Sequence, residues 1–152
     1  MLNIILTAAI TLIGGIILFI FQHIIIEIFI KPIQKQKEVI ENIAISLIHF
    51  SNLYTSPVQY GSLPSDNPIR KKYMDAANKV RELAALLKVK SENILLYDKW
   101  NIIKYVLPKQ NVEQAFEGLI HLANSFGSEG RGVENSDIAD RIRTLLEIPK
   151  QS

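Results

Sequence analysis

The sequence predicts an all-α protein: an N-terminal transmembrane helix followed by a small amphipathic helical bundle of four to five helices. Three observations lead there. Apolar residues crowd one end, with 22 of the first 30 residues apolar against 51 of the remaining 122. Beyond that head they recur at spacings of three and four, the period of a helix that buries one side. No segment sustains the alternation of a half-buried strand. The division expected is residues 1–30 as an anchor helix and residues 31–152 as a helical domain.

From Ile4 to Phe21 the chain carries 18 consecutive uncharged residues, broken in apolarity only by Thr7, Thr11, Gly14 and Gly15. Extended to Leu2, the run gives about 20 residues or roughly 30 Å of helix, the thickness of a hydrocarbon core. No Lys or Arg precedes the run and no small-x-small site follows it, which reads against a cleaved signal peptide. Apolar character resumes after Gln22 and His23 and lasts to Ile30, so the last turns are expected at the headgroups or in the cytosol. There His23 and Glu27, four apart, are expected to pair.

Lys31, Lys35 and Lys37 follow the span closely, and only the α-amino group precedes it. The positive-inside tendency then sets a single-pass topology in the cell (inner) membrane, N-terminus outside and C-terminal domain cytoplasmic. Within the span, Thr7, Thr11, Gly14, Gly15 and Gln22 fall within an arc of roughly 100°. Such a face lets a second helix approach closely, so the lipid bilayer and a second copy of the chain are both expected partners.

Pro32 is expected to end or kink this helix and to open the next. That second helix carries Ile40, Ile43, Ala44, Leu47, Phe50 and Tyr54 along one stripe. Residues 55–67, with Pro57, Gly61, Pro64 and Ser65, form a long loop, and Asn67 caps a third helix with Pro68 in its first turn. Ile69, Tyr73, Ala76, Val80, Leu83 and Leu87 make the seam of this helix. A fourth helix is expected from a Ser91 cap to about Val106, and a fifth from an Asn111–Gln114 capping arrangement to Phe126. After the glycine-rich residues 127–132, a last helix should run from about Ser136 to Ile148, with Ile138, Ile142, Leu145 and Leu146 inward.

The junction Phe29-Ile30-Lys31-Pro32-Ile33-Gln34, the helix from Ile43-Ala44 to Tyr54, and the stretch from Leu107-Pro108 to Asn124-Ser125 resemble a family of short, uncharacterised, single-span bacterial membrane proteins. The resemblance covers most of the chain and implies no activity, so no site residue follows from it.

The net charge of +2 is unevenly spread. Residues 68–109 hold ten Lys or Arg against four acids, whereas residues 110–152 hold four against seven. On the third helix the basic side chains flank the seam in two rows: Arg70, Arg81 and Lys88 on one side, Lys72, Lys79 and Lys90 on the other. Rows of this kind suit a solvated rim paired with the acidic last third, or contact with anionic lipid. Nucleic acid is not an expected partner, because no recognition motif accompanies the small net charge.

The absence of Cys excludes disulfides, thiolate metal sites and a Cys nucleophile. Glu113, Glu117 and His121, four apart on one helix, with Glu41 and His49 on another, are the best case for a metal. The Glu-x-x-His spacing of di-iron bundles is missing, so they read as ordinary polar residues, and no cofactor is expected. No phosphate-loop, dinucleotide, zinc-protease or nucleophile-elbow motif is present. The expected function is therefore a non-catalytic protein-interaction or scaffold module at the cytoplasmic face, with an unknown protein partner. The alternatives are an oligomerising, toxin-like membrane effector, or an enzyme with an unrecognised site, for which metal analysis is the first check.

Overall fold

The computed structural model describes residues 2–149 and, within them, the side chains of all but residues 2–5 and 8. The expected start of the span at Leu2 and Ile4 thus falls on side chains outside the described set. The architecture is helical throughout, with no strand among the described residues.

Helix α1 (Leu2–Ile25) does not stop at Pro32. It passes through one π turn (Ile26–Ile30) directly into α2 (Lys31–His49). Proline lacks an N–H for a regular helical bond, and its ring crowds the carbonyl four residues back. The wider turn absorbs that misfit: the Lys31 N–H bonds the Ile26 carbonyl, five residues back. The break expected at Pro32 is replaced by a continuous helical rod that carries the apolar head into the body. The boundary expected between residues 30 and 31 lies inside this rod.

The rod is followed by α3 (Ser51–Thr55), α4 (Pro68–Glu92), α5 (Tyr97–Ile102), α6 (Lys109–Ser125) and α7 (Gly132–Leu145). Helix α4 lies between α2 and α6, and α7 covers α6 and α3. Its start is the one the sequence indicates: Asn67 Oδ1 accepts the Ile69 N–H at 2.9 Å, with Pro68 in the first turn. Tyr73, Ala76, Val80, Leu83 and Leu87 are buried, while Ile69 stays half exposed. Ala76, Ala77 and Ala84 on α4 face a core that also holds Ala115 and Ala123 of α6. Small side chains at these positions let the two backbones come close without leaving voids.

The stripe of α2 keeps Ile43 and Leu47 of the expected set and runs on through Val39, Gln36 and Ile33, with Ile40 and Phe50 half-buried against the main core. Ile33, Gln36, Val39, Ile43 and Leu47 are buried, whereas Ile40 and Ala44 lie at the edge. Adjacent Val39 and Ile40 are both apolar, so pattern alone could not choose between them; the placement of α4 does.

Three further boundaries differ. Ser91 is not a cap but a buried residue inside α4, donating to the Leu87 carbonyl at 2.7 Å. Helix α4 ends at Glu92, with Asn93 as its C-cap, and the expected fourth helix shrinks to the short α5, entered through Leu96 in the left-handed region (φ 55°). Helix α6 starts at Lys109, so Asn111 sits within it and donates to the Leu145 carbonyl instead of capping. Helix α7 begins at Gly132, ahead of the expected Ser136, where the chain passes tightly against α3.

Residues 55–67 are an ordered connection. They contain a single 3₁₀ turn (Tyr60–Ser62), bury Pro57, and rest Val58 and Tyr60 on the core. Tyr73 donates to the Ser56 carbonyl at 2.8 Å and Arg70 to the Leu63 carbonyl at 2.7 Å.

The body has two apolar clusters. The larger fills the space among α2, α3, α4, α6 and α7. The smaller consists of Ile33, Ile94, Tyr97 and Val106 with Trp100 against them, at the end of α2 nearest the apolar head.

Candidate functional site

The N-terminal head is left uncovered by the rest of the chain. The most apolar window of the rod is wholly unburied, and Leu12, Leu18, Phe19 and Phe21 each expose 62–71% of their surface. An uncovered apolar surface of this length is far larger than a soluble monomer carries. By length and composition this helix is able to cross a membrane.

The face expected to pack against a second helix is open. Thr11 donates to the Thr7 carbonyl at 2.9 Å, which satisfies its hydroxyl within the helix. A Cβ added at Gly14 or Gly15 would meet nothing within 4 Å. Thr7, Gly15 and Gln22 are likewise exposed. At the lower end, Glu27 forms its ion pair with Lys31, the next turn toward the body, and not with the expected His23.

The basic rows on α4 divide by environment. In the first row all three side chains are tied into the fold. Arg70 holds residue 63, Arg81 donates to Asn78 and to Asn124 of α6 at 3.0 Å, and Lys88 pairs with Glu113 at 3.1 Å and lies over the Phe116 ring. In the second row Lys79 pairs with Glu82 on its own helix, and Lys72 and Lys90 make no ion pair among the described residues. The first row therefore helps bind α4 to its neighbours.

The polar residues weighed for a metal are dispersed. Glu113 goes to Lys88, and His121 lies 4.0 Å from Glu134 of α7. Among the described residues no three His, Asp or Glu side chains converge on one point.

Two features escaped the sequence reading. One is a groove of about 660 Å³ between α2, residues 101–108 and residues 146–149, walled by Ile40, Ala44, Leu107 and Ile148 and rimmed by Lys37, Lys104, Glu41 and Glu147. Lys104 and Glu147 both take left-handed backbone conformations (φ 57° and 54°). The signal available was the pair of prolines, Pro108 and Pro149, that end the strips of chain on its rim.

The other is the stretch 94–106, which the sequence suggests as one amphipathic helix. Its inward side reaches the rod: the Trp100 ring is 6.4 Å from Phe29 and 5.9 Å from Tyr105, whose ring lies 5.1 Å from Lys37 Nζ. Tyr97 receives a hydrogen bond from Gln36 at 3.0 Å. Burial pushes the Tyr97 hydroxyl pKa up, against the opposing pull of that bond, and the nearby Asp98 carboxylate pushes it further. Its outward side is apolar: Leu95, Leu96, Ile102 and Ile103 are 54–80% exposed.

Comparison with protein-family models, with curated proteins and with solved structures finds no match to this chain.

Proposed function

We propose that this chain is a single-pass membrane protein whose helical body, held at the cytoplasmic face, is a non-catalytic module that binds a protein partner or a second copy of itself. The observation that carries the reading is the uncovered apolar helix, joined without a break to α2, one wall of a packed bundle. A rod of this kind fixes the body to the bilayer at a set height and leaves no flexible linker between them. Lys31, Lys35 and Lys37, just beyond the apolar run, support the cytoplasmic side for the body.

The open face with Gly14 and Gly15 supports self-association as the form of binding, as the effector reading also requires. The test is the oligomeric state of the full chain in a bilayer, with Gly15→Ile as the variant. Loss of self-association in the variant supports that face. Unchanged association removes it, and a full chain that stays monomeric points to a different protein as the partner.

A further inference from the structure

The geometry points to a second membrane contact. We propose that residues 95–105 lie on the leaflet next to the body, with Leu95, Leu96, Ile102 and Ile103 seated at the headgroup boundary and Lys99 and Lys104 over anionic phosphates. This rests on the reading of the N-terminal helix as a span.

Four aliphatic side chains between 54 and 80% exposed within nine residues form a patch, unlike Ile69, Val89 and Val133, which stand singly along α4 and α7. Left-handed residues bracket the patch, Leu96 at one end and Lys104 at the other. A leucine and a lysine are costly there. The backbone bends that turn Leu95, Leu96, Ile102 and Ile103 away from the core are thus held at a cost, as at a surface in use.

Position selects the occupant. The segment packs on the rod where the rod leaves its apolar stretch: Trp100 lies against Phe29 and on the small cluster around Ile33. If residues 6–25, a stretch without Lys, Arg, Asp or Glu, fill the hydrocarbon, Phe29 lies about 6 Å beyond it along the axis. That is the headgroup zone, where Trp and Tyr collect and where lysines reach phosphate while their stems cover apolar neighbours. Lys99, Lys104 and Lys109 outnumber Asp98, the only acid between residues 95 and 109, so the segment suits an anionic surface. The segment that carries the patch is seated by Trp100 on the rod beside the apolar head, and its aliphatic and basic side chains suit an anionic leaflet, which favours lipid over a protein partner.

The chain has no Cys, so single-cysteine variants of the full protein report one position each. Ile102→Cys, Ile103→Cys, Leu18→Cys and Glu129→Cys, spin-labelled and reconstituted into vesicles of phosphatidylcholine and phosphatidylglycerol, are compared for collision with oxygen and with a water-soluble nickel chelate. All four sites are exposed, so the fold tolerates the label. The expected result is that labels at 102 and 103 favour oxygen several-fold over the chelate, as at 18, whereas the label at 129 favours the chelate. In the same lipids, K99E with K104E should return positions 102 and 103 toward the chelate without changing position 18. Labels at 102 and 103 that behave like 129 while 18 stays in lipid would overturn the contact and leave the anchor standing. Protection that appears only at high protein-to-lipid ratio would overturn it in favour of an interface between copies. A water-exposed label at 18 would remove the anchor and the contact together.

Discussion

Gln36 and Tyr97 meet across the joint between the rod and the chain that follows α4. Gln36, 1% exposed, donates to the Tyr97 hydroxyl at 3.0 Å and to the Ser91 hydroxyl at 2.8 Å. The Ser91 hydroxyl in turn donates to the Leu87 carbonyl, so three elements share one polar network. A buried amide with satisfied donors adds modestly to stability, while an orphaned partner is costly. Gln36→Leu should lower the free energy of unfolding by about 1–3 kcal/mol. The midpoint of chemical denaturation, followed by the fluorescence of Trp100, measures it. The double variant Gln36→Leu, Tyr97→Phe should recover part of the loss, because it removes the abandoned hydroxyl; a double variant worse than the sum of the singles would refute the network.

Gly132 opens α7 where the chain passes closest to α3. An added Cβ there would overlap the Thr55 backbone carbonyl, which cannot turn aside as a side chain would. Gly132→Ala should cost about 1–3 kcal/mol through forced backbone movement. Gly61→Ala, whose Cβ meets nothing within 4 Å, is the comparison and should leave the thermal midpoint almost unchanged. Equal midpoints for the two variants would show that α7 can shift away from α3.

Two buried tyrosines set the alkaline limit. Burial raises the pKa of Tyr73, and burial, opposed by the Gln36 bond and aided by Asp98, raises that of Tyr97. The folded protein then holds both phenolic protons more tightly than the unfolded chain does. Their contribution is fully present below the unfolded value near 10 and is lost as the pH climbs through the higher folded values. Stability should decline above about pH 10, and Tyr97→Phe should flatten the decline. A Tyr97→Phe protein with the same alkaline slope as the parent would show that this tyrosine does not govern it.

Much of this arrangement was legible in the chain, for identifiable reasons. The uncovered helix and the Asn67–Pro68 start of α4 rest on local signals: an unbroken apolar run, and a cap followed by a proline. The seam of α4 was legible because its neighbours in sequence are charged. Other features depend on what lies across the core. Val39 and Ile40 are equally apolar, and the position of α4 decides which is buried. Gln36 reads as polar and is buried because Ser91 and Tyr97, more than fifty residues away, accept its protons. Pro32 reads as a break, yet one π turn carries the helix past it. Asn111 and Ser91 look like caps because their side chains suit that role, but each has a tertiary partner. The outward patch at 95–105 was hidden inside an amphipathic pattern, since an apolar residue gives no sign of which surface it meets.

No described residue of the π turn is buried, and the head meets the body through the single Phe29–Trp100 contact among the aromatic pairs. The fragment 31–152 should therefore keep both apolar clusters and fold as a helical domain. Circular dichroism and a cooperative thermal transition measure this. A fragment without a cooperative transition would show that the rod is needed to form the body.

Under the proposed function the head, and not the body, integrates the protein into a bilayer. Membranes that contain the full chain are extracted with alkaline carbonate, and the fraction in which the protein sediments is measured. Retention of the full chain in the membrane pellet, with fragment 31–152 released to the supernatant, is the predicted result. Release of the full chain would contradict the account, because a helix spanning the hydrocarbon core is not removed by charge or pH.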